Sequence, residues 1–216
     1  MKNIFGLNIP ETVAEVCDPK RIAILVYDMQ IGILGQIKNA DQVIRQVLKV
    51  LTVARDVGLR VFFSRHLSLP TELMGVFQFR IAMTWQRVNS PGQVKPWFLR
   101  DNPGFQITPE LSPRSSEGVF DKLTMSAFEG TWLDLALRDA GISAFIIVGV
   151  ATEVGIEPTV RHGADLGYFP VIVVDACGWG HEEAAKRSIE SLRFSGDAIV
   201  TDTETICGIL QSNRET

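Results

Sequence analysis

Cysteine, histidine and excess charge are all scarce in this sequence, and each scarcity removes a class of function. The three cysteines, Cys17, Cys177 and Cys207, are odd in number, far apart and never spaced as CxxC. They build neither a disulfide framework nor a zinc set, and they suit a reducing compartment. The three histidines, His66, His162 and His181, are equally dispersed. Lone histidines of this kind are mostly structural, so no metal and no other cofactor is expected. Lys and Arg number 21 against 25 Asp and Glu, a formal net charge of -4 with both signs mixed along the chain. That balance argues against a nucleic-acid or anionic-membrane surface and leaves a small-molecule partner. No run reaches the ~18 uninterrupted apolar residues of a membrane span, and MKNIFGLNIPE at the start has no long apolar stretch behind its lysine. A cytoplasmic protein is expected.

What is present is material for a core. With 46% hydrophobic residues over 216 positions, a single domain spanning 1–216 is the default. Residues 21–27 (RIAILVY) are a continuous apolar run of strand length that ends at Asp28. From Asp41, a stripe of Val43, Ile44, Val47, Leu48, Leu51 and Ala54 marks a helix closed by Gly58, and 59–64 (LRVFFS) is a second strand. Strand, helix, strand in this order predicts parallel pairing through a right-handed crossover.

Residues 67–116 interrupt that rhythm with six prolines and a short helical stretch over 74–85. So long an excursion inside a domain reads as a lid or a subunit contact. Its aromatics, Phe77, Phe79, Trp85, Trp97 and Phe98, fit that role or an ordinary core equally well. Beyond it come strands at 118–120, 145–148, 171–174 and 198–200, alternating with helices at 126–139, 156–166, 182–194 and 204–210. The pattern predicts an α/β fold: a doubly wound, mostly parallel, Rossmann-like six-stranded sheet with helices on both faces.

Ligands of such sheets bind above the carboxyl ends of the strands. Three residues fall there by independent counting: Asp28 ends strand one, Lys122 follows strand three, and Gly155 opens the helix after strand four. Each has an ordinary reading as well, since an aspartate at a strand end is commonly an N-cap and a lysine after a strand is commonly solvated. Gly178-Trp179-Gly180 hints at a dinucleotide loop but lacks the third glycine and the acidic partner.

Taken together, several motifs carry a family likeness. Asp28-Met29-Gln30, Lys122 followed by Ser126-Ala127-Phe128, and Gly149 with Thr152 and Gly155 occur in that order, with ADLGY and VIVVDAC behind them. Over 21–66 and 117–200 the chain resembles the isochorismatase-like, or cysteine hydrolase, superfamily. In thiol-bearing relatives the aspartate is a general base, the lysine stabilises charge beside it, and a cysteine attacks an amide-type carbonyl. Here Gly155 stands in the nucleophile's place. The likeness also implies a homo-oligomer and a non-proline cis peptide between Val150 and Ala151. The metal-binding nicotinamidase branch carries closely spaced histidines after strand two, where this chain has only His66.

The isochorismatase branch shares Asp28, Lys122 and Gly155, and it cleaves a vinyl ether with release of pyruvate. By that likeness Asp28 is the general acid, Lys122 holds a substrate carboxylate, and Gly155 leaves room for substrate. An ammonium nearby favours the ionised carboxylate, so desolvation or a substrate carboxylate has to restore its acidity. Gln30, His66, Val150 and Ala151 are the further substrate-binding candidates, and Arg80 is the counterpart offered for that branch's substrate arginine. Ala151 and His66 replace the tyrosine and glutamine usual there. The expected activity is therefore hydrolysis of a small carboxylated substrate without a cysteine nucleophile. Two alternatives stand beside it: a binding or assembly protein on an impaired hydrolase scaffold, which Gly155→Cys would test by restoring amidase activity, and an amidase using Cys177.

Overall fold

Apolar runs buried on both faces pair into one sheet in the computed structural model, which describes residues 1–213. The strands are β1 (Lys2–Ile4), β2 (Leu7–Ile9), β3 (Ile22–Tyr27), β4 (Arg60–His66), β5 (Gly118–Lys122), β6 (Ala144–Gly149), β7 (Phe169–Cys177) and β8 (Ile199–Thr201). The helices are α1 (Val13–Val16), α2 (Ile31–Leu34), α3 (Ala40–Asp56), α4 (Val76–Gln86), α5 (Leu133–Asp139), α6 (Glu157–Asp165), α7 (Glu182–Ser195) and α8 (Thr203–Ser212). The main sheet has six strands in the order β5-β4-β3-β6-β7-β8, every neighbouring pair parallel. The β1–β2 hairpin lies apart from it, antiparallel and exposed.

Alternation along β3 decides what each face receives. Ile22, Ile24 and Val26 join Val43, Val47 and Leu51 of α3 and Ile206 and Leu210 of α8 in one apolar layer. Ala23, Leu25 and Tyr27 point the other way, into a layer with Leu133 and Leu137 of α5, Val160 of α6 and Leu192 of α7. Helices therefore cover both faces, as a wholly parallel sheet requires. Strands β3 and β6 are the central neighbours, and the chain leaves them towards opposite edges. A crevice opens at that point, outside the ends of β3 and β6. Tyr27 is paired there with Gly149, whose φ of +123° and whose closeness to the Tyr27 backbone both exclude a side chain.

The predicted helix over 126–139 is only half formed, because α5 starts at Leu133. In the stretch before it, Thr124 Oγ1 donates to the carbonyls of Ser126 and Glu129, and Thr131 Oγ1 donates to that of Ala127. Side-chain hydroxyls take backbone acceptors that a helical turn would have used. The excursion after β4 holds α4 and short 3-10 turns, three of which begin at Pro91, Pro103 and Pro109. Its aromatics divide: Phe98 and Phe105 are buried, while Phe77 and Trp85 are exposed and α4 buries no residue. Among the described residues no helix is long and apolar enough to cross a membrane.

Candidate active site

Asp28 follows the last residue of β3 and takes a φ of +47°, which turns its carboxylate towards β4 and β5. Oδ1 accepts from Ser64 Oγ at 2.6 Å, and Oδ2 accepts from Lys122 Nζ at 2.7 Å. Lys122 comes from the end of β5, two strands away, and donates also to the Thr124 carbonyl at 3.1 Å. Its side chain is wholly buried and that of Asp28 nearly so. Burial pushes the ammonium below the usual lysine range, with Asp28 acting in the opposite direction. The structure thus brings Asp28 and Lys122 together. The ammonium faces Asp28 rather than open space, so in this arrangement holding a substrate carboxylate does not fall to it.

A cavity of about 410 Å³ lies on the other side of Asp28, bounded by Tyr27, His66, Trp85, Trp97, Phe98 and Arg87 among others. Its floor includes Val150, Ala151 and Gly155. The Val150–Ala151 peptide is cis. The N–H groups of Val154, Gly155 and Ile156 converge on the Ala151 carbonyl, whereas the Ala151 N–H has no acceptor among the described residues. A carboxylate acceptor and an unpaired backbone donor across one cavity are the elements of proton transfer and oxyanion stabilisation. His66 forms edge contacts with Trp85 and Phe98 and is half-buried at the cavity wall. Burial, with a smaller push from Lys122, takes its pKa down to about 4, so it is neutral at pH 7.

Three predicted residues are placed otherwise than expected. Gly155 does not leave room for substrate: a Cβ there would overlap Tyr27 Oη, with ring atoms Cε1 and Cζ at 2.5 Å. The phenol has filled the space because alternation sends Tyr27 to that face of β3. Gln30 is fully buried and does not open onto the cavity. Its amide donates to the carbonyls of His66 and Phe105 and accepts from the His66 N–H at 2.6 Å, clamping the excursion to the sheet. Arg80 is exposed on α4 and lines a separate hollow with Phe79 and Met83. The cation that does line the Asp28 cavity is Arg87, one residue past α4 in left-handed geometry.

Sequence reasoning passed over Tyr27, Ser64 and Arg87. The signal for Tyr27 was available, since a hydroxyl-bearing residue directly before Asp28 must face away from Val26. No spacing rule ties Arg87 or Ser64 to the site. Cys177 belongs elsewhere, beside Asp175 and Trp179 in another hollow, where its thiol donates to the Ile147 carbonyl and burial pushes its pKa far up. His162 bonds Ser126, and His181 caps α7. Among the described residues no group of three or more His, Cys, Asp or Glu is placed to hold a metal.

Comparison with known proteins identifies the family. The isochorismatase domain pattern matches residues 22–205. The ureidoacrylate amidohydrolase RutB of Acinetobacter baylyi is 27% identical over 229 residues, covering 91% of this chain and 86% of its own. The isochorismatase family protein YecD of Escherichia coli O157:H7 is 31% identical over 176 residues, 80% of this chain and 88% of its own. Among solved structures, a cysteine hydrolase from Pseudomonas syringae pv. phaseolicola superposes with a TM-score of 0.77 at 23% identity, covering 90% of this chain and 94% of that one. N-carbamoylsarcosine amidase from Thermoplasma acidophilum gives 0.69 at 21%, with 85% and 96% covered. With the domain pattern running from the first strand of the main sheet into the last helix, the chain belongs to the isochorismatase family of hydrolases.

Proposed function

We propose that the protein hydrolyses a small carboxylated substrate by direct addition of water, with Asp28 moving the proton and with no covalent intermediate. A vinyl ether that releases pyruvate is the leading case. The observation that carries this reading is the Asp28–Lys122 pair, 2.7 Å apart, with Asp28 bordering a cavity that no cysteine lines. Burial loosens the lysine's hold on its proton. That eases its passage to Asp28, which then protonates the enol carbon. Water adds to the resulting oxocarbenium ion and returns a proton to the Asp28–Lys122 pair; collapse of the hemiketal, its hydroxyl proton passing to the departing oxygen, then breaks the ether bond and gives pyruvate and an alcohol. Arg87 is the cation available to a substrate carboxylate, and Trp85, Trp97 and Phe98 offer flat apolar walls to an unsaturated body.

The test is turnover by the purified protein on isochorismate, on simpler enolpyruvyl ethers and on ureidoacrylate, the compound named for one relative. Pyruvate and ammonia are followed separately. Asp28→Asn is expected to lower kcat by about 10² to 10⁴-fold. Turnover that survives this change intact removes the proposal. Tight binding of such carboxylates without turnover would favour a binding protein on the same scaffold.

A further inference from the structure

We propose that Tyr27 is the specificity-determining residue of this site, its phenol occupying the station of a side chain at 155 and so excluding a nucleophile there. Tyr27 is the last residue of β3 and is 1% exposed. Its backbone is held by pairing with Gly149, and Oη donates to the Met125 carbonyl at the far end of the side chain. Lys122 Nζ stands 4.3 Å from the ring centroid, on a further side. With its backbone paired, its hydroxyl bonded to Met125 and a buried ammonium over the ring, the side chain is held at that station. A Cβ on Gly155 would overlap Oη and meet Cε1 and Cζ at 2.5 Å, closer than real side chains approach. Bulk at 27 and bulk at 155 are therefore mutually exclusive, and the two positions exchange only as a unit. With tyrosine at 27 the cavity is restricted to chemistry that needs no side chain at 155. With a small aliphatic residue at 27, a thiol at 155 would stand beside Asp28 on the cavity floor.

Two measurements test this, and neither needs the natural substrate, so their failure is separable from failure of the proposed function. The first is a thermal-unfolding cycle of wild type, Gly155→Ala, Tyr27→Val and the double variant. Gly155→Ala is expected to lower Tm by roughly 2–12 °C beside tyrosine, the range for one overpacked core position in a domain of this size. Beside valine the same change should cause little further loss. Equal losses in both backgrounds overturn the proposal. The second compares Gly155→Cys alone with Tyr27→Val/Gly155→Cys, both treated with p-nitrophenyl acetate. In the double variant the introduced sulfur attacks the ester carbonyl, and its proton passes to the Asp28 carboxylate. An S–C bond forms, the C–O bond to nitrophenolate breaks, and an acetylated enzyme remains. A stoichiometric nitrophenolate burst above wild type, with the acetyl group mapped to position 155, is expected of the double variant only. A folded Gly155→Cys protein that reacts as fast as the double variant, or a folded double variant that does not react, overturns it.

Discussion

Replacing Lys122 with methionine keeps the apolar stem but strands the Asp28 carboxylate without its cation. The two side chains are 0% and 6% exposed, with 2.7 Å between Nζ and Oδ2. At an effective dielectric of ~20 the attraction at that distance is about 6 kcal/mol, much of it offset by the desolvation of both ions. Breaking one side of such a pair removes the attraction and leaves the desolvation, a loss of about 3–5 kcal/mol. Ser64 keeps its 2.6 Å hydrogen bond to Oδ1, which holds the loss inside that range rather than above it. Urea unfolding at pH 7, followed by tryptophan fluorescence, measures the difference. The double change Asp28→Asn/Lys122→Met removes both charges and is expected to recover most of the loss. Lowering the pH should also partly rescue Lys122→Met, because protonating the stranded carboxylate abolishes the buried charge. Stability of Lys122→Met within about 1 kcal/mol of wild type, or a double variant as weak as the single one, would refute a tightly coupled buried ion pair.

Three further outcomes follow from the same geometry. His66 is neutral when folded, its pKa taken down to about 4, whereas the unfolded chain gains a proton below ~6.5. Stability from this group is therefore lost as the pH falls from 6.5 to 4, by about 3 kcal/mol, and His66→Gln should flatten that slope in unfolding titrations. Gln30→Ala strips partners from the His66 and Phe105 carbonyls and the His66 N–H, which should cost about 2–4 kcal/mol in denaturant unfolding. Gln30→Glu should do no better, having no donors for those carbonyls. Arg87→Met is expected to raise KM for a carboxylated substrate by roughly 5- to 30-fold with kcat little changed, the signature of binding shared by ground and transition states.

The sheet was legible because strands covered on both faces read as uninterrupted apolar runs, as RIAILVY and FIIVG do. The convergence of Asp28 and Lys122 was legible only in part: both sit at carboxyl ends of strands, but Asp28 is at the crossover point and Lys122 on the edge strand. The filling of the space at Gly155 was not legible. In a doubly buried strand a tyrosine counts as core, and only the packed structure reveals how far its ring reaches. The stretch 126–132 before α5 misled for a different reason: the predicted helix ran through it, while Thr124 and Thr131 give their hydroxyls to the carbonyls a helix needs. Arg87 lay hidden because its position depends on where α4 stops, and helix ends are the least regular part of any pattern.

The order of the central strands also governs when this enzyme can come into being during synthesis. Ile22 has no partner on one side until Ala144 emerges, and the carboxylate at 28 waits 94 residues for its amine. At ~5–20 residues per second the ribosome takes on the order of ten seconds to deliver them. Throughout that interval a hydrophobic ribbon stands with an open edge, a substrate for chaperones or for a neighbouring nascent chain.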